Sequence, residues 1–388
     1  MKYQPTILSQ LLNVLPRDQF QQIVTKYHGD FKTHKLDCWS QFVSLFYAQL
    51  RQRDSLRDVE TGLETQFEKL YHLGLKPVKR STLADANAKR DYRIYEEVFQ
   101  VLLSKCRQFG TKTFKFESPL LVLDASVITL CHTLFPWAKY QSKKGGLKLH
   151  LYYDHDNDLP EFISLTEGKD SDRAVGRTFP VKPDSIAVFD RGYTDYAWFY
   201  ALHQRDITFV TRVSKAFTFT PTGQQPNPSE NPDIIADQRV RIPAAHSHQK
   251  RRYPETVRLV SYYDSETQRH LQFLTNNFSW TPETIALIYK KRWGIELFFK
   301  WIKQNLKIKT FLGTSKNAVF TQIWIAMCVY LVLWFLKHQA KYSASMLRLS
   351  RVLNEAAFER THLINILRIK SWKNTELSSS SQLTLGFT

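Results

Sequence analysis

The sequence predicts an α/β protein in which a central sheet is preceded and followed by helical segments. Three observations support this fold class. Apolar residues recur at helical spacing up to about residue 110, strand-like runs dominate from 119 to 213, and helical spacing returns after Thr281. The chain has 388 residues, enough for about two or three domains, and its hydrophobic content of 43% suffices for a buried core.

Residues 1–110 are predicted to form a helical N-terminal domain. Ser55, followed three residues later by Asp58, has the spacing of a helix start. A short helix rich in small and polar residues is predicted from Ser81, with basic residues around it: Lys76, Lys79, Arg80, Lys89, Arg90 and Arg93. This pattern is compatible with a helix-turn-helix that reads DNA. A helical bundle with a solvated charged face fits the same pattern.

Strand signals follow in residues 115–214. Strands are predicted at 119–130, 147–154, 162–166, 185–190 and 207–213, with helices from Ser171 and at 195–205. Three successive strands followed by βαβ units match the order of an RNase H-like sheet.

The rest of the chain divides into three predicted segments. Residues 215–280 contain short strand-like pieces and form a β-rich insertion. In residues 281–340, Thr281 and Pro282 supply the cap and first turn of a helix. The apolar run 323–336 is too short for a bilayer span of about 20 residues and predicts a buried core helix. Residues 341–388 are predicted to be a helical C-terminal segment.

The charge balance predicts a polyanionic partner. Lys and Arg number 54 against 36 Asp and Glu, so the formal net charge is +18. Nucleic acid is the first candidate, an acidic membrane the second, and a merely basic soluble protein the alternative. The four cysteines lack the spacing of a zinc site or disulfide framework, and the N-terminus lacks the features of a signal peptide. The chain is therefore predicted to be cytoplasmic.

One segment carries the strongest functional signal. Tyr289, Arg292, Glu296 and Lys303 follow the spacing Y-x2-R-x3-E-x6-K. On one continuous helix these four side chains would lie within about 60° of one another. A carboxylate among cations suits a metal-bound phosphodiester, with Glu for the cation and Arg and Lys for phosphate oxygens. A solvated basic helix with an incidental Glu is the alternative.

This spacing resembles the Tyr-Arg-Glu-Lys signature of DDE transposases from bacterial insertion sequences, specifically the insertion-sequence-four type. The resemblance implies an RNase H-like core in which Asp, Asp and Glu hold two Mg²⁺ ions. It also implies that two aspartates lie upstream at strand ends. Asp124 ends the apolar run L-L-V-L-D, and Asp190 ends I-A-V-F-D. Each aspartate alone could be a turn cap, but together with Glu296 they match the family's order.

The charge of three converging carboxylates itself favours metal binding, because without cations they repel and at least one protonates. The resemblance assigns Asp124, Asp190 and Glu296 as catalytic metal ligands, with Asp124 shared between two Mg²⁺ ions; this sharing could be permuted. We expect Mn²⁺ to substitute. The predicted DNA contacts are Tyr289, Arg292, Lys303, Arg191 and Lys300.

Other candidate sites are weaker. The run D-H-D-N-D at 154–158 alternates like a calcium loop, but Leu159 stands where glycine is required. It is predicted to be a hairpin turn. His150 is predicted to be a structural or phosphate-facing strand residue, and Ser126 has too common a context for a nucleophile. Trp280 is expected to pack in the core, with stacking on a DNA base as the alternative.

The resulting prediction is a Mg²⁺-dependent transposase that nicks transposon ends and joins them to target DNA. Its expected partners are double-stranded DNA, both the inverted repeats and the target, and a second copy of itself. It is not expected to bind a membrane, and nucleoid association is expected. Two alternatives stay open: a catalytically silent DNA-binding derivative acting as a repressor, and a purely hydrolytic RNase H-like nuclease.

Overall fold

Helices form the N-terminal part of the molecule, which the computed structural model describes at residues 4–110, 116, 118–141, 144–214, 217–225, 230–243 and 253–367. The N-terminal helices are α1 (Ile7–Leu12), α2 (Arg17–Lys26), α3 (Cys38–Leu50), α4 (Leu56–Glu64), α5 (Arg80–Lys89) and α6 (Arg93–Arg107), with a 3₁₀ segment at Phe67–Leu73. The helical prediction for this region is confirmed.

Side-chain caps explain where several of these helices begin. The Ser55 hydroxyl accepts a hydrogen bond from the Asp58 N–H at 3.1 Å, and the Asp58 carboxylate accepts one from the Ser55 N–H at 2.9 Å. The predicted helix start at Ser55 is therefore confirmed. Asp37 caps α3 through the Ser40 N–H at 2.7 Å. Every residue of α3 is buried, so this helix lies in the core of the N-terminal bundle.

Within the described residues, ten strands form one mixed sheet. They are β1 (Leu120–Leu130), β2 (Lys139–Gln141), β3 (Lys144–Asp154), β4 (Leu159–Glu167), β5 (Ile186–Phe189), β6 (Thr208–Arg212), β7 (Thr220–Gln224), β8 (Ile234–Arg241), β9 (Val257–Asp264) and β10 (Arg269–Thr275). The main path is β2-β3-β1-β5-β6-β10-β9-β8-β7, and β4 pairs with β3. Strands β1, β5 and β6 run parallel, whereas β3 and β4 are antiparallel to their neighbours. The predicted α/β fold is confirmed, and the short strand β2 is an addition to it.

The β-rich segment after β6 continues the same sheet. Strand β10 pairs antiparallel with β6, and β9, β8 and β7 follow in turn. Arg258 on β9 is only 1% exposed and forms two hydrogen bonds to Asp237 on β8, at 2.8 and 2.6 Å. The same guanidinium donates to the Trp280 carbonyl at 2.6 Å. This buried ion pair therefore ties the insertion to the turn that precedes the next helix.

The remaining helices pack on both faces of the sheet. They are α7 (Asp172–Gly176), α8 (Tyr196–His203), α9 (Pro282–Lys290), α10 (Trp293–Asn305), α11 (Lys316–Gln339), α12 (Met346–Ala356) and α13 (Leu363–Leu367). Thr281 caps α9 through the Thr284 N–H at 3.2 Å, with Pro282 as the first helical residue, as predicted. Helix α11 is long and apolar enough to cross a membrane, but its apolar window is entirely buried inside the protein. The predicted core helix is thus confirmed.

Two apolar clusters hold these layers together. The larger cluster joins the N-terminal helices, one face of the sheet and helices α9 to α12. The smaller cluster lies between the opposite face and α8, and it includes Phe189, Phe199 and Phe209. Trp280 packs partly buried against the larger cluster, in agreement with the predicted core position.

His150 is a buried polar residue of the sheet. It is fully buried, and its Nε2 lies 2.8 Å from the Thr166 hydroxyl. Burial lowers the pKa of His150 to about 4; Asp172 and Asp170 oppose this shift, and Lys148 reinforces it. Because the folded-state pKa lies below the unfolded value of about 6.5, neutral His150 favours folding above pH 6.5. That contribution is lost as the pH falls toward 4.

We therefore expect His150→Gln to remove part of the acid sensitivity of the fold. The wild type should lose about 2.5 kcal/mol of unfolding free energy through this group between pH 7.5 and pH 4.5, and the variant should not. Urea unfolding at both pH values measures the difference, since all other titrating groups are shared. Equal pH dependence in the two proteins would show that His150 titrates normally in the fold.

Candidate active site

The register of the sheet places Asp124 beside Asp190. Leu123 of β1 lies opposite Phe189 of β5 in the parallel ladder, and each aspartate is the next residue along its chain. Since neighbouring strands lie about 4.8 Å apart, the two aspartates are adjacent where β5 ends. Asp124 does not end its own strand, because β1 continues to Leu130 in pairing with β3. Asp124 instead lies beside the point where the parallel partner strand, β5, ends.

The chain turns sharply after Asp190. Residues Arg191–Tyr193 form a 3₁₀ turn, and the Gly192 N–H donates to the Asp190 carboxylate at 2.7 Å. A Cβ atom at Gly192 would lie only 2.9 Å from the same carboxylate oxygen. A residue with a side chain would therefore push the Asp190 carboxylate away, which explains the glycine at this position.

The four residues of the signature do not lie on one continuous helix, because the signature spans α9 and α10. The two helices are joined at Lys291 and Arg292, where the backbone forms tight i→i+3 hydrogen bonds, including Arg292 N–H to the Tyr289 carbonyl at 3.0 Å. In a 3₁₀ turn, residues three apart lie on the same side, so Tyr289 stays beside Arg292, whose guanidinium lies 5.8 Å from the centre of the Tyr289 ring. Tyr289 is 8% exposed, and its ring packs against Phe273 at 4.8 Å.

Arg292 connects two of the three carboxylates. Its Nη1 donates to Asp124 Oδ2 at 3.0 Å, and its Nη2 donates to Glu296 Oε1. The guanidinium is largely buried, with 17% of the side chain exposed. Asp124 from the sheet and Glu296 from α10 are therefore brought together around one cation.

The carboxylates influence one another electrostatically. Burial raises the pKa of Asp124 to about 6, and the charges of Asp190 and Glu296 add to this shift. Arg292 and the Ala125 N–H oppose it. All three predicted acidic residues therefore contribute to one local field in which negative charge is in excess.

Lys303 contacts the same strand as Asp124. Its ammonium donates to the Ser126 hydroxyl at 2.6 Å and to the Val127 carbonyl at 2.9 Å. Burial lowers the pKa of Lys303, and Lys309 adds to this effect. The sequence reasoning set Ser126 aside as a nucleophile and missed this structural role. Its position two residues after Asp124, on the same face of a strand, was the available signal.

The other predicted DNA contacts differ in exposure. Arg191 and Lys300 are exposed, and neither forms an ion pair with another residue in the part of the chain that the structure describes. Tyr289 and Arg292 are buried beside the carboxylates instead. The five predicted residues thus divide into two exposed cations and three groups that line the site.

The donor chemistry of this site fits a divalent cation. Asp124 and Asp190 are adjacent on neighbouring strands, and Arg292 joins Asp124 to Glu296 of α10. Burial raises the pKa of Asp124, and the charges of the other two carboxylates add to this rise. Among the described residues, however, no three acidic, His or Cys side chains are arranged as a ready-made metal site. The Arg292 guanidinium between Asp124 and Glu296 explains this spacing. Cation binding to all three would therefore replace contacts that Arg292 makes.

Comparison with known families identifies this arrangement. A family model described as the transposase DDE domain matches residues 115–332, which include both aspartates and Glu296. The chain belongs to the DDE transposase family. Membership implies the RNase H-like core that the sheet order predicts. A second model, described as a domain of unknown function, matches residues 3–76 in the N-terminal helices.

Relatives of this DDE protein carry transposase names. A Sinorhizobium fredii protein named as a transposase, y4zB, is 33% identical over 298 residues, covering 76% of this chain and 81% of the relative. A Geobacillus stearothermophilus protein named for the transposase of insertion sequence element IS5377 is 28% identical, covering 87% and 86%. A Synechocystis protein named for insertion sequence element IS4SA is 25% identical, covering 90% and 97%. The similarity therefore extends well beyond the matched domain.

Proposed function

We propose that this DDE-family protein cleaves DNA at the ends of an insertion sequence and transfers the freed strands into target DNA. The observation that carries this proposal is the meeting of Asp124, Glu296 and Arg292, with Asp190 on the adjacent strand. The Tyr-Arg-Glu-Lys spacing supports assignment to the insertion-sequence-four type. The net charge of +18 supports a polyanionic substrate.

The three carboxylates are the proposed ligands for two Mg²⁺ ions, with Mn²⁺ as a substitute. Asp124 is assigned to both ions, and Asp190 and Glu296 to one each. Bound there, divalent cations would supply activation of a water or 3′-hydroxyl and stabilisation of the leaving oxygen. The rigid sheet holds Asp124 and Asp190 in fixed register, whereas Glu296 is carried by a separate helix.

The basic residues are assigned to substrate positioning. Arg191 and Lys300 are exposed and can reach the DNA backbone near the cut. Tyr289, Arg292 and Lys303 are assigned to the phosphates closest to the carboxylates. Such contacts set the register of the duplex without reading its bases. Arg292 also pairs with Asp124 and Glu296, so its charge is available to a phosphate when cations compensate these carboxylates.

The flanking segments are assigned to assembly on DNA. The N-terminal helices, residues 1–110, are proposed to bind the transposon end. Residues 115–214 and 281–340 are the proposed catalytic core, with 215–280 as its insertion. Residues 341–388 are proposed to contribute to a homodimer, although residues 368–388 lie outside the described part of the chain. The proposed cellular location is the cytoplasm, in association with the nucleoid.

A plasmid carrying the reading frame with its flanking DNA tests the proposal. Purified protein with Mg²⁺ should cut at the element's ends, expose 3′-hydroxyl groups and join them to a second plasmid. Cleavage without joined products would favour a purely hydrolytic nuclease. Binding without cleavage would favour a silent DNA-binding derivative, and loss of both activities would contradict the proposal.

A further inference from the structure

A basic cleft lies in the β-rich insertion, away from the carboxylates. It has a volume of about 740 Å³ and is lined by residues of β7, β8, the start of β9 and the turn before α9: Thr222, Arg239, Arg241, Thr256 and Phe278, with Pro254 and Glu255. We refer to it as the insertion cleft. Nothing in the function proposed above uses these side chains.

Two arginines face this cleft from one side of β8. Arg239 and Arg241 are exposed, whereas Val240 between them is fully buried on the opposite face. Residues two apart on a strand are about 7 Å apart, which is comparable to the separation of neighbouring phosphates along one DNA strand. Neither arginine forms an ion pair with another described residue. Both guanidinium groups are therefore available to an anion.

Local contacts hold Arg239 in position. Its Nε donates to the Gln225 side-chain oxygen at 3.2 Å, and its guanidinium lies 5.5 Å from the centre of the Phe278 ring. Gln225 in turn donates to the Phe278 carbonyl at 2.6 Å. The carboxylate of the lining, Glu255, lies 3.6 Å from His203 Nδ1, a partner outside the lining. The cleft thus presents an oriented guanidinium, a second arginine and two threonine hydroxyls.

We propose that the insertion cleft binds two neighbouring phosphates of duplex DNA, a second anchor beyond the cleavage site. This inference rests on the proposed function, since it takes DNA as the substrate. The length of α9 sets the separation between the cleft and the carboxylates. Phe278 of the cleft lies three residues before Thr281, the cap of α9. From Thr281 to Arg292, which contacts the carboxylates, the chain spans about 16 Å at 1.5 Å per residue. At 3.4 Å per base pair, the anchored phosphates lie about five or more base pairs from the bond that is cut.

The test compares Arg239→Ala/Arg241→Ala with wild type in binding a duplex that carries the element's end. Fluorescence anisotropy between 50 and 300 mM KCl gives the salt dependence, and ethylation interference maps the phosphates that matter. Log affinity decreases with log salt, and the magnitude of this slope should be smaller by about 1.8 in the variant, or 0.9 for each lost contact. Interference should disappear at phosphates five or more base pairs from the cut and persist at the cut itself.

Two controls make the result specific. Arg239→Lys/Arg241→Lys keeps both charges and should keep most of the slope. Lys182→Ala removes an exposed cation before β5, at the opposite edge of the sheet from Asp190, and should leave slope and interference unchanged. If the double alanine variant has the same salt slope as the wild type, the inference is overturned. The proposed function would still stand in that case, provided that the wild-type protein cleaves DNA. A wild type that fails to bind or cut DNA would overturn both.

Discussion

Asp124→Asn, Asp190→Asn and Glu296→Gln should each reduce DNA cleavage by at least about a thousandfold while leaving DNA binding intact. The amides keep the size of the side chains but remove the negative charge that a divalent cation requires. Metal-assisted catalysis contributes several kcal/mol to phosphodiester cleavage, and each 1.4 kcal/mol corresponds to tenfold in rate. Loss of any one ligand should therefore be close to complete loss of activity.

Cleavage of a labelled duplex under single-turnover conditions measures this effect, with anisotropy for binding and thermal unfolding to check the fold. Glu266→Gln is the matched control, because its carboxylate is 74% exposed and pairs with Lys290 at the surface. That control should cut at the wild-type rate. A carboxylate variant that also cuts normally would remove its residue from the proposed metal site.

Asp237→Ala should destabilise the protein by about 3–5 kcal/mol, the largest stability effect that we expect from a single substitution. Asp237 and Arg258 have only 6% and 1% of their side chains exposed, so removing the carboxylate leaves a buried cation without its partner. Arg258 also donates to the Trp280 carbonyl beside α9. We therefore expect the variant to lose cleavage activity at temperatures where it is still folded.

Urea unfolding monitored by circular dichroism measures the loss of stability. Glu266→Ala breaks an ion pair with Lys290 that is exposed on both sides, and it should cost less than about 1 kcal/mol. Comparing the two variants distinguishes the cost of leaving a buried charge without its partner from the cost of breaking an exposed ion pair. A loss below 1 kcal/mol in Asp237→Ala would mean that the Arg258 guanidinium reaches water when its partner is removed.

Sequence reasoning located most of the elements of this fold because their signals are local. The apolar runs before Asp124 and Asp190 predicted buried strands, and such strands bring both aspartates to one place when they pair in parallel. Ser55 and Thr281 marked helix starts through capping residues that lie within three positions of their partners. For the helix starts the deciding interaction is close in sequence, and for the strands the apolar run itself is the local signal.

The features that were missed depend on contacts between distant segments. The helical spacing of apolar residues continues through the break at Lys291 and Arg292. Periodicity alone therefore predicts one helix where the structure has α9 and α10. The Arg292–Asp124 contact joins residues 168 positions apart, and the Lys303–Ser126 contact joins residues 177 apart. Both contacts depend on how α10 packs against β1, which local sequence patterns do not specify. The continuation of the sheet through β7 to β10 is unpredictable for the same reason.

Iron-directed cleavage of the polypeptide tests most directly whether residues 124, 190 and 296 form one divalent-cation site. Fe²⁺ bound in place of Mg²⁺, with ascorbate and peroxide, cuts the backbone near its ligands, and the fragments report the location without any DNA reaction. We expect cuts clustered around all three positions that excess Mg²⁺ or Mn²⁺ suppresses. Fragments confined to other segments, or cuts that miss any of the three positions, would contradict the shared metal site.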